Sequence, residues 1–191
     1  LVTAAKKNGK HIVSSVIEHF SILNQLKTLQ KQGYQVTLLP VDQHGIVDPQ
    51  ALRDAITEET VLISIQTANP EIGTIQQIKA LAKIANEKGV PIHTDATAAA
   101  GWIPLDVEAD GVDLLTLAGD QFNGPKGAAA LYIRQGLRLQ AQIEGGIQEK
   151  GLRAGTENVP ALVGFGEAAK LALESMSGRT QKAAQFRDQL K

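Results

Sequence analysis

Polar side chains that could bind a ligand or a metal ion follow several apolar segments of the chain. His19 comes after the first of these segments, and its imidazole could stack on a ligand, although a lone histidine at such a place is more often hydrogen-bonded within its loop. His93 and Asp95 are two residues apart, hence on one face of a strand, and could begin a metal site with Asp120. The sequence places no further imidazole beside them, so we expect no metal. Asp95 by itself is typical of a carboxylate that caps the following turn.

The apolar segment that leads to Gln121 is the most informative part of the chain. A predicted strand at 112–117 runs into a glycine-containing loop at 118–127, and a second apolar run follows at 128–133. This is the layout of a site at the end of a buried strand.

The rest of the pattern alternates strands with helices. Short apolar and β-branched runs predict strands at 11–15, 34–39, 61–65, 90–94, 112–117 and 128–133. Helical spacing, with Asp48 as an N-cap and Pro49 after it, predicts helices at 21–33, 49–56, 75–89, 159–176 and 180–191. Residues 136–156 are predicted to be a mobile loop. The alternation indicates an α/β sandwich with a mostly parallel sheet, in which sites collect at the carboxyl ends of the strands.

The composition limits the classes of protein to which the chain can belong. The 191 residues are 43% hydrophobic and 20% charged, with a net charge of −1. We expect one domain over residues 1–191 with a sizeable core, and neither a nucleic-acid nor a membrane-surface partner. Cysteine is absent, which excludes disulfides, a thiolate metal site and a cysteine nucleophile within this chain.

Neither a membrane span nor a signal peptide is predicted. No apolar run is long enough to cross a bilayer, and residues 1–7 lack the pattern of a secretory leader. A cytoplasmic location is therefore the default expectation. The chain begins without Met and ends inside a predicted helix, which suggests a fragment of something longer.

Five segments, taken together, resemble one enzyme family, the cysteine desulfurases of the class V aminotransferase kind. Their order and spacing match over residues 11–173, and they read Val16-Ile17-Glu18-His19, Asn69-Pro70-Glu71-Ile72-Gly73-Thr74-Ile75-Gln76, His93-Thr94-Asp95-Ala96, Gly124-Pro125-Lys126-Gly127 and Arg153-Ala154-Gly155-Thr156-Glu157-Asn158. The resemblance implies the large domain of a fold type I pyridoxal-phosphate (PLP) enzyme, a three-layer α/β/α sandwich that forms homodimers. It also implies sulfur transfer from L-cysteine for iron–sulfur cluster assembly. We expect the family's N-terminal phosphate cup and its C-terminal small domain with the mobile cysteine to lie outside this sequence.

Three positions keep the residue that the family uses. The resemblance implies that His19 stacks on the PLP ring, that Asp95 pairs with the pyridine nitrogen, and that Thr156 reaches the phosphate across a dimer interface.

Five other positions have lost the family's polar contact. Pro70 replaces the Asn at the phenolic oxygen, Ala98 replaces a Gln, and Ala118 replaces the phosphate-binding Ser. Asp120 replaces a His and places a carboxylate where a phosphate would need donors. Gln121 occupies the position of the Schiff-base Lys, and an amide cannot form an imine.

These losses cluster on the cofactor while glycines and apolar faces remain. The sequence therefore predicts a non-catalytic member of the family that binds no cofactor and acts through protein contacts, as a homodimer or a subunit of an assembly. Two alternatives stay open. One is a PLP-dependent cysteine desulfurase that another chain completes or that has been deliberately altered; the other is a small-molecule binding domain that uses the vacated pocket.

Two further features are explained without a catalytic or phosphate-binding role. Lys126 lies five positions after Gln121 and could substitute as a Schiff-base lysine, but it already belongs to the Gly-Pro-Lys-Gly motif and is better explained as a structural or surface residue. The glycines at 145, 146, 151 and 155 follow no strand directly and precede no Gly-Lys-Ser, so a flexible dimer-contact loop explains them better than a phosphate loop.

Overall fold

The computed structural model describes residues 9–190. Over this range the elements are β1 (His11–Ser15), α1 (Phe20–Lys31), β2 (Gln35–Leu39), α2 (Pro49–Ala55), β3 (Thr60–Ser64), α3 (Ile78–Glu87), β4 (Ile92–Asp95), α4 (Val107–Asp110), β5 (Leu114–Ala118), β6 (Ala129–Ile133) and α5 (Val159–Gln189). Short 3₁₀ turns follow at Gly119–Phe122 and Gln148–Gly151. The predictions about residues 1–7 and about a helix end at Lys191 lie outside the described residues. In the described range, no helix combines the length and apolarity needed to cross a membrane.

The six strands form one sheet in the order β2-β1-β3-β4-β5-β6. Neighbouring strands are parallel from β2 to β5, and only the β5–β6 pair is antiparallel. The prediction of a mostly parallel sheet is confirmed. The chain moves outward from β1 to β2 and then returns to the other side of β1, so the strand order reverses between β1 and β3. In open α/β sheets a crevice forms at the carboxyl ends of such strands.

Helices cover both faces of the sheet. Successive side chains of a strand point to opposite sides, so one strand packs against helices on both faces. On β1, Val13 packs into a cluster with Leu52 of α2 and Leu81 of α3. Its neighbour Ile12 packs with Leu26 of α1 on the other face. The predicted three-layer α/β/α arrangement is confirmed.

Most helix boundaries follow the expected capping chemistry. The Asp48 side chain accepts a hydrogen bond from Gln50 N at 2.9 Å, with Pro49 as the first helical residue. Helix α4 was not predicted. It has only four residues, too few to show a helical period, and is held by the Asp106 side chain, which accepts from the backbone N–H groups of Glu108 and Ala109.

The prediction of two C-terminal helices with a break near Gly178 is wrong, since α5 is continuous through this glycine. Glycine costs a helix only about 1 kcal/mol, which anchoring contacts can offset. The Arg179 guanidinium donates to Gly101 O and lies 4.7 Å from the centre of the Trp102 ring. Thr180 Oγ1 donates to Trp102 O at 2.8 Å. These contacts hold the helix directly after Gly178, where the break was expected.

Candidate functional site

A cavity of about 510 Å³ opens where the reversal of strand order predicts a crevice. Four loops contribute to its wall: His19 follows β1, Gln66 and Pro70 follow β3, Asp95 ends β4, and Gln121 follows β5. Cavities of this size accommodate small molecules and cofactors. The predicted convergence of polar side chains at the carboxyl ends of the strands is therefore present.

His19 has two roles in this wall. It is the N-cap of α1, because its Nδ1 accepts a hydrogen bond from Ser21 N at 3.2 Å and lies 2.8 Å from Ser21 Oγ. In this contact Nδ1 is the acceptor, which leaves Nε2 free of the cap. The ring is thus hydrogen-bonded within its loop while it also lines the cavity.

Asp95 likewise caps a turn and faces the cavity. Its Oδ1 accepts a hydrogen bond from Thr97 N at 2.9 Å, which is the turn-capping contact expected from the sequence. Within residues 9–190, no side chain or backbone group donates to Oδ2. One carboxylate oxygen is left for a ligand.

Glu18 is a further ionisable group that sequence reasoning did not assign to the site. It is only 5% exposed, and its Oε1 accepts hydrogen bonds from Ser15 Oγ at 2.5 Å and Gln66 N at 3.0 Å. Its Oε2 is buried with no partner in the described residues. Burial, together with the nearby charge of Asp95, raises the pKa of the Glu18 carboxyl to about 7, against the two hydrogen bonds, which lower it.

Further hydrogen bonds tie the Glu18 segment to the loop after β3. The side chains of Gln66 and Asn69 both donate to Ile17 O, at 2.6 and 3.1 Å. Together with the bond from Gln66 N to Glu18, they fix the loop that carries His19 against the loop that carries Pro70. Hydrogen bonds within the chain therefore hold these two parts of the cavity wall together.

His93 is engaged inside the sheet. Its Nδ1 lies 2.9 Å from Ser64 Oγ and its Nε2 lies 2.8 Å from Thr116 Oγ1, so both ring nitrogens have hydroxyl partners on neighbouring strands. Burial lowers the pKa of the imidazole. No cluster of three or more metal-ligating side chains occurs in the part of the chain that the structure describes.

The loop after β5 requires a glycine where the chain turns. A Cβ on Gly119 would lie 2.8 Å from the Phe165 ring, closer than real Cβ contacts, and in a tight contact of 3.1 Å with Ala128 O. The turn places Gln121 in the cavity wall, and its Nε2 lies 3.5 Å from Oδ2 of the exposed Asp120. An uncharged amide beside a carboxylate thus occupies this side of the cavity.

Comparison with known proteins places this geometry in one family, since the family model for class V aminotransferases matches residues 1–191. The chain belongs to the class V aminotransferase family. It is 48% identical over 187 residues to a cysteine desulfurase IscS of Methanosarcina thermophila, covering 98% of this chain and 46% of that protein. It is also 48% identical over 184 residues to cysteine desulfurase IscS 1 of Archaeoglobus fulgidus, covering 96% of this chain and 48% of that protein.

Solved structures agree with this placement. A NifS-like protein superposes with a TM-score of 0.94 at 37% identity, covering 97% of this chain and 51% of that one. The chain therefore spans about half the length of the relatives it matches. The family uses PLP, and its members similar to this chain are cysteine desulfurases.

The structure brings most of the family positions together. The cavity wall includes the positions inferred from the resemblance, both kept and lost: His19, Pro70, Asp95, Ala98, Ala118 and Gln121. Asp120 stands beside the wall, whereas Lys126 and Thr156 are exposed and do not line this cavity. Gln66 and Thr116 also line it and were not singled out from the sequence.

Proposed function

We propose that this chain is a non-catalytic member of the cysteine desulfurase group that acts through protein contacts, as a homodimer or a subunit of a larger assembly. The observation that supports the proposal most directly is Gln121 in the wall of the cavity. An amide has no basic lone pair, so it neither anchors an aldehyde cofactor nor takes a proton from a substrate.

Apart from His19 and Asp95, which the resemblance matches to ring contacts of PLP, the wall offers no anchor for the cofactor. Among residues 9–190, no lysine and no arginine lines the cavity, so it offers neither an amine for an imine nor a cation for the phosphate. Asp95 lies in the wall, Glu18 is buried close enough to interact with it, and Asp120 accepts a hydrogen bond from Gln121. A phosphate dianion is repelled by carboxylates and is stabilised by cationic or neutral donors.

Exposed apolar side chains on the loops around the cavity support a protein contact. Val16 and Phe20 are 45% and 67% exposed, and Ile72 and Ile75 on the facing loop are 61% and 50% exposed. Exposed apolar groups of this size mark interaction surfaces when they lie together. A second copy of the chain, as in the family resemblance, is the simplest partner.

An absorbance spectrum with excess PLP, recorded before and after borohydride reduction and desalting, tests the loss of cofactor chemistry. We expect no protein-bound chromophore and no sulfide release from L-cysteine. A reduction-trapped chromophore on any lysine, or turnover of L-cysteine, would overturn the proposal. The oligomeric state, measured by light scattering on the wild type and on the Phe20→Asp variant, tests the protein contact separately.

The alternative enzyme function rests on the relatives, which are named cysteine desulfurases and are 48% identical to this chain. In this alternative, another chain supplies the lysine and the cysteine for sulfur transfer from L-cysteine. The Gln121→Lys variant separates the two functions, because a cavity that is otherwise competent gains colour with PLP when the amine is restored. Gln135→Lys, at an exposed glutamine outside the cavity, is the matched control.

A second candidate function is binding of a small molecule in the cavity. The supporting observation is that the wall is fixed by hydrogen bonds within the chain and presents an unpaired carboxylate oxygen on Asp95. A ligand that binds only the folded state raises the melting temperature, and the rise grows with the ratio of the ligand concentration to its Kd. A screen of small molecules by thermal unfolding tests this function, and a flat response to all of them rejects it.

A further inference from the structure

The turn after β5 makes two backbone demands at neighbouring positions. Asn123 has a φ of 67° and a ψ of 22°, in the left-handed region, where Asn is tolerated better than most residues that carry a side chain. Gly124 follows it, and a Cβ at this position would lie 2.8 Å from Gly119 O, closer than real Cβ contacts. The geometry of the turn therefore favours an Asn-Gly pair at these two positions.

An Asn-Gly pair can modify itself with water as the only other reactant. The backbone nitrogen of Gly124 loses its proton and attacks the side-chain carbon Cγ of Asn123, the Cγ–Nδ2 bond breaks, and ammonia leaves. Water then opens the resulting cyclic imide at either of its two carbonyl carbons, which gives aspartate or isoaspartate. No group is oxidised or reduced. Glycine favours the attack because it has no side chain to hinder the approach.

The folded turn opposes this reaction in two ways. The Gly124 N–H donates to Gly119 O at 2.7 Å, so the proton that has to leave is held in a hydrogen bond. The ψ of 22° at Asn123 also keeps its Cβ and Gly124 N on opposite sides of the Cα–C bond, whereas ring closure needs them on the same side. The attack therefore requires that the turn opens first.

Packing against α5 determines how often the turn opens. The Asn123 side chain is exposed and lines an open cleft beside α5, so water reaches it. Its neighbour Phe122 is 4% exposed and packs edge-on against Phe165 of α5, with the ring centres 5.2 Å apart. On the other side of the turn, Pro125 lies so close to Gly164 of α5 that a Cβ on this glycine would be 2.6 Å away. Contacts on both sides of the Asn-Gly pair thus hold the turn closed.

We propose that Asn123 is a site of slow deamidation, which proceeds through local opening of this turn and yields isoaspartate together with aspartate. Isoaspartate carries the main chain through its side-chain carbon, which lengthens the backbone before Gly124 by one atom. The longer backbone does not fit the turn that the hydrogen bond from Gly124 N to Gly119 O closes. Because Gln121 lies in the same turn and in the cavity wall, the modification changes this wall as the protein ages.

The rate of deamidation tests the restraint that the fold imposes. The folded protein is incubated at pH 8 and 37 °C, and peptide mapping with enzymatic methylation of isoaspartate measures conversion at Asn123. Mapping is required because Asn8 is also followed by glycine. A synthetic peptide of residues 119–128 gives the rate without the fold. We expect conversion in the protein to be measurable and at least tenfold slower than in the peptide.

Two variants distinguish local opening of the turn from global unfolding. Phe122→Leu removes the aromatic contact with Phe165 and should speed conversion at Asn123 at least threefold. Leu52→Val lowers stability in the separate core cluster between the sheet and the helices α2 and α3, and should leave the rate unchanged. Urea unfolding identifies conditions in which both variants remain folded.

Amide exchange tests the consequence for the turn. In an Asn8→Gln background, Asn123 is the one asparagine that glycine follows, so anion exchange separates the modified protein by its additional carboxylate. We expect the Gly124 amide to lose its protection in this fraction, while the amide of Val13 in β1 keeps its own.

Each outcome has a defined meaning. Slow conversion that Phe122→Leu accelerates and Leu52→Val does not, with loss of protection at Gly124, supports the proposal. Conversion as fast as in the peptide shows that the fold gives no restraint, and equal acceleration in both variants shows that the reaction proceeds through global unfolding. Absence of conversion while the peptide converts fully shows that Asn123 is not modified. Each of these three results overturns the proposal, as does unchanged protection at Gly124 in the modified protein.

Discussion

Strand β1 leads from one polar cluster to another, and the two differ in how completely their groups are paired. At its first residue, His11 is 5% exposed, with Nδ1 2.8 Å from Thr60 Oγ1 and Nε2 2.9 Å from Thr37 Oγ1. Beyond its carboxyl end, Glu18 is equally buried but leaves one carboxyl oxygen without a partner in the described chain.

The difference separates a structural cluster from a functional one. Buried polar groups in folded proteins are normally paired, because an unpaired group costs about 1–3 kcal/mol. The chain meets this requirement at His11 and also at the half-buried His93 of β4. It departs from it at Glu18, beside the cavity. Such a departure is expected where a ligand or a change in protonation completes the contacts.

The largest predicted effect concerns Glu18 and pH. The pKa of Glu18 rises from an ordinary 4.5 to about 7 in the folded state. This rise corresponds to about 3 kcal/mol in the free energy of unfolding. Because the folded pKa is raised, this stability is fully present below about pH 4.5 and is lost as the pH rises through about 7. Urea unfolding of the wild type and Glu18→Gln between pH 4.5 and 8 measures it.

As the pH rises, the wild type should lose about 3 kcal/mol in the free energy of unfolding relative to Glu18→Gln, because only the wild type has a carboxyl to ionise. Asp54→Asn, which changes an exposed carboxylate on α2, should show no such trend. A constant difference between the wild type and Glu18→Gln across the range would show that the carboxyl titrates normally, and the contrast between the two ends of β1 would disappear.

Removing the paired histidine should come next in size. His11→Ala leaves the Thr37 and Thr60 hydroxyls without their imidazole partner, and we expect a loss of about 2 kcal/mol in the free energy of unfolding. Replacement of the exposed His44 by Ala is the control, with a change below about 0.5 kcal/mol. Equal effects at both positions would mean that the His11 cluster contributes little.

The pH response of His11 should have the opposite sign to that of Glu18. Burial lowers the pKa of His11, so its contribution is present above the pKa of a free imidazole, about 6.5, and is lost as the pH falls below it. His93, whose pKa burial also lowers, acts in the same direction. In Glu18→Gln, stability should therefore fall from pH 7 to pH 5. A variant whose stability is flat in this range would contradict the assignment.

The smallest effect is expected at His19. His19→Ala removes the N-cap of α1, which typically costs about 1 kcal/mol. His19→Asn retains a capping acceptor and should recover most of that loss. Thermal unfolding of the three proteins checks the order, and a His19→Asn variant as unstable as His19→Ala would show that the imidazole has a packing role beyond the cap.

The sequence predicted the sheet well because its inner strands, above all β1 and β3, are buried on both faces. Apolar and β-branched runs marked all six strands within a few residues, and the predicted strand at 11–15 coincides with β1. The helices on either side also carry clear periods or caps, as at Asp48. Local sequence patterns could not predict long-range contacts. Helix α5 continues through Gly178 because Arg179 and Thr180 are held by residues 78 positions earlier, which no local signal shows.

The candidate site was predictable in its framework and less so in its electrostatics. The residues at the carboxyl ends of the strands were identified by their positions and by the family resemblance, and six of them share the cavity wall. The burial of Glu18 was missed because a charged residue just after a strand usually faces solvent. Ser15, three residues earlier, was the available signal, since its hydroxyl can hold the carboxyl only if the chain turns back on itself.

Strand β1 also stabilises the cavity wall against local unfolding. All five of its residues are buried, and it is hydrogen-bonded on both sides, to β2 and to β3. Amide hydrogens in such a strand exchange with solvent mainly when the whole protein unfolds. The segment that carries Glu18 and His19 leaves directly from this strand and is tied to the loop after β3. Exchange protection should therefore extend beyond β1 to Gln66 N, so that the wall is already in place before any ligand arrives.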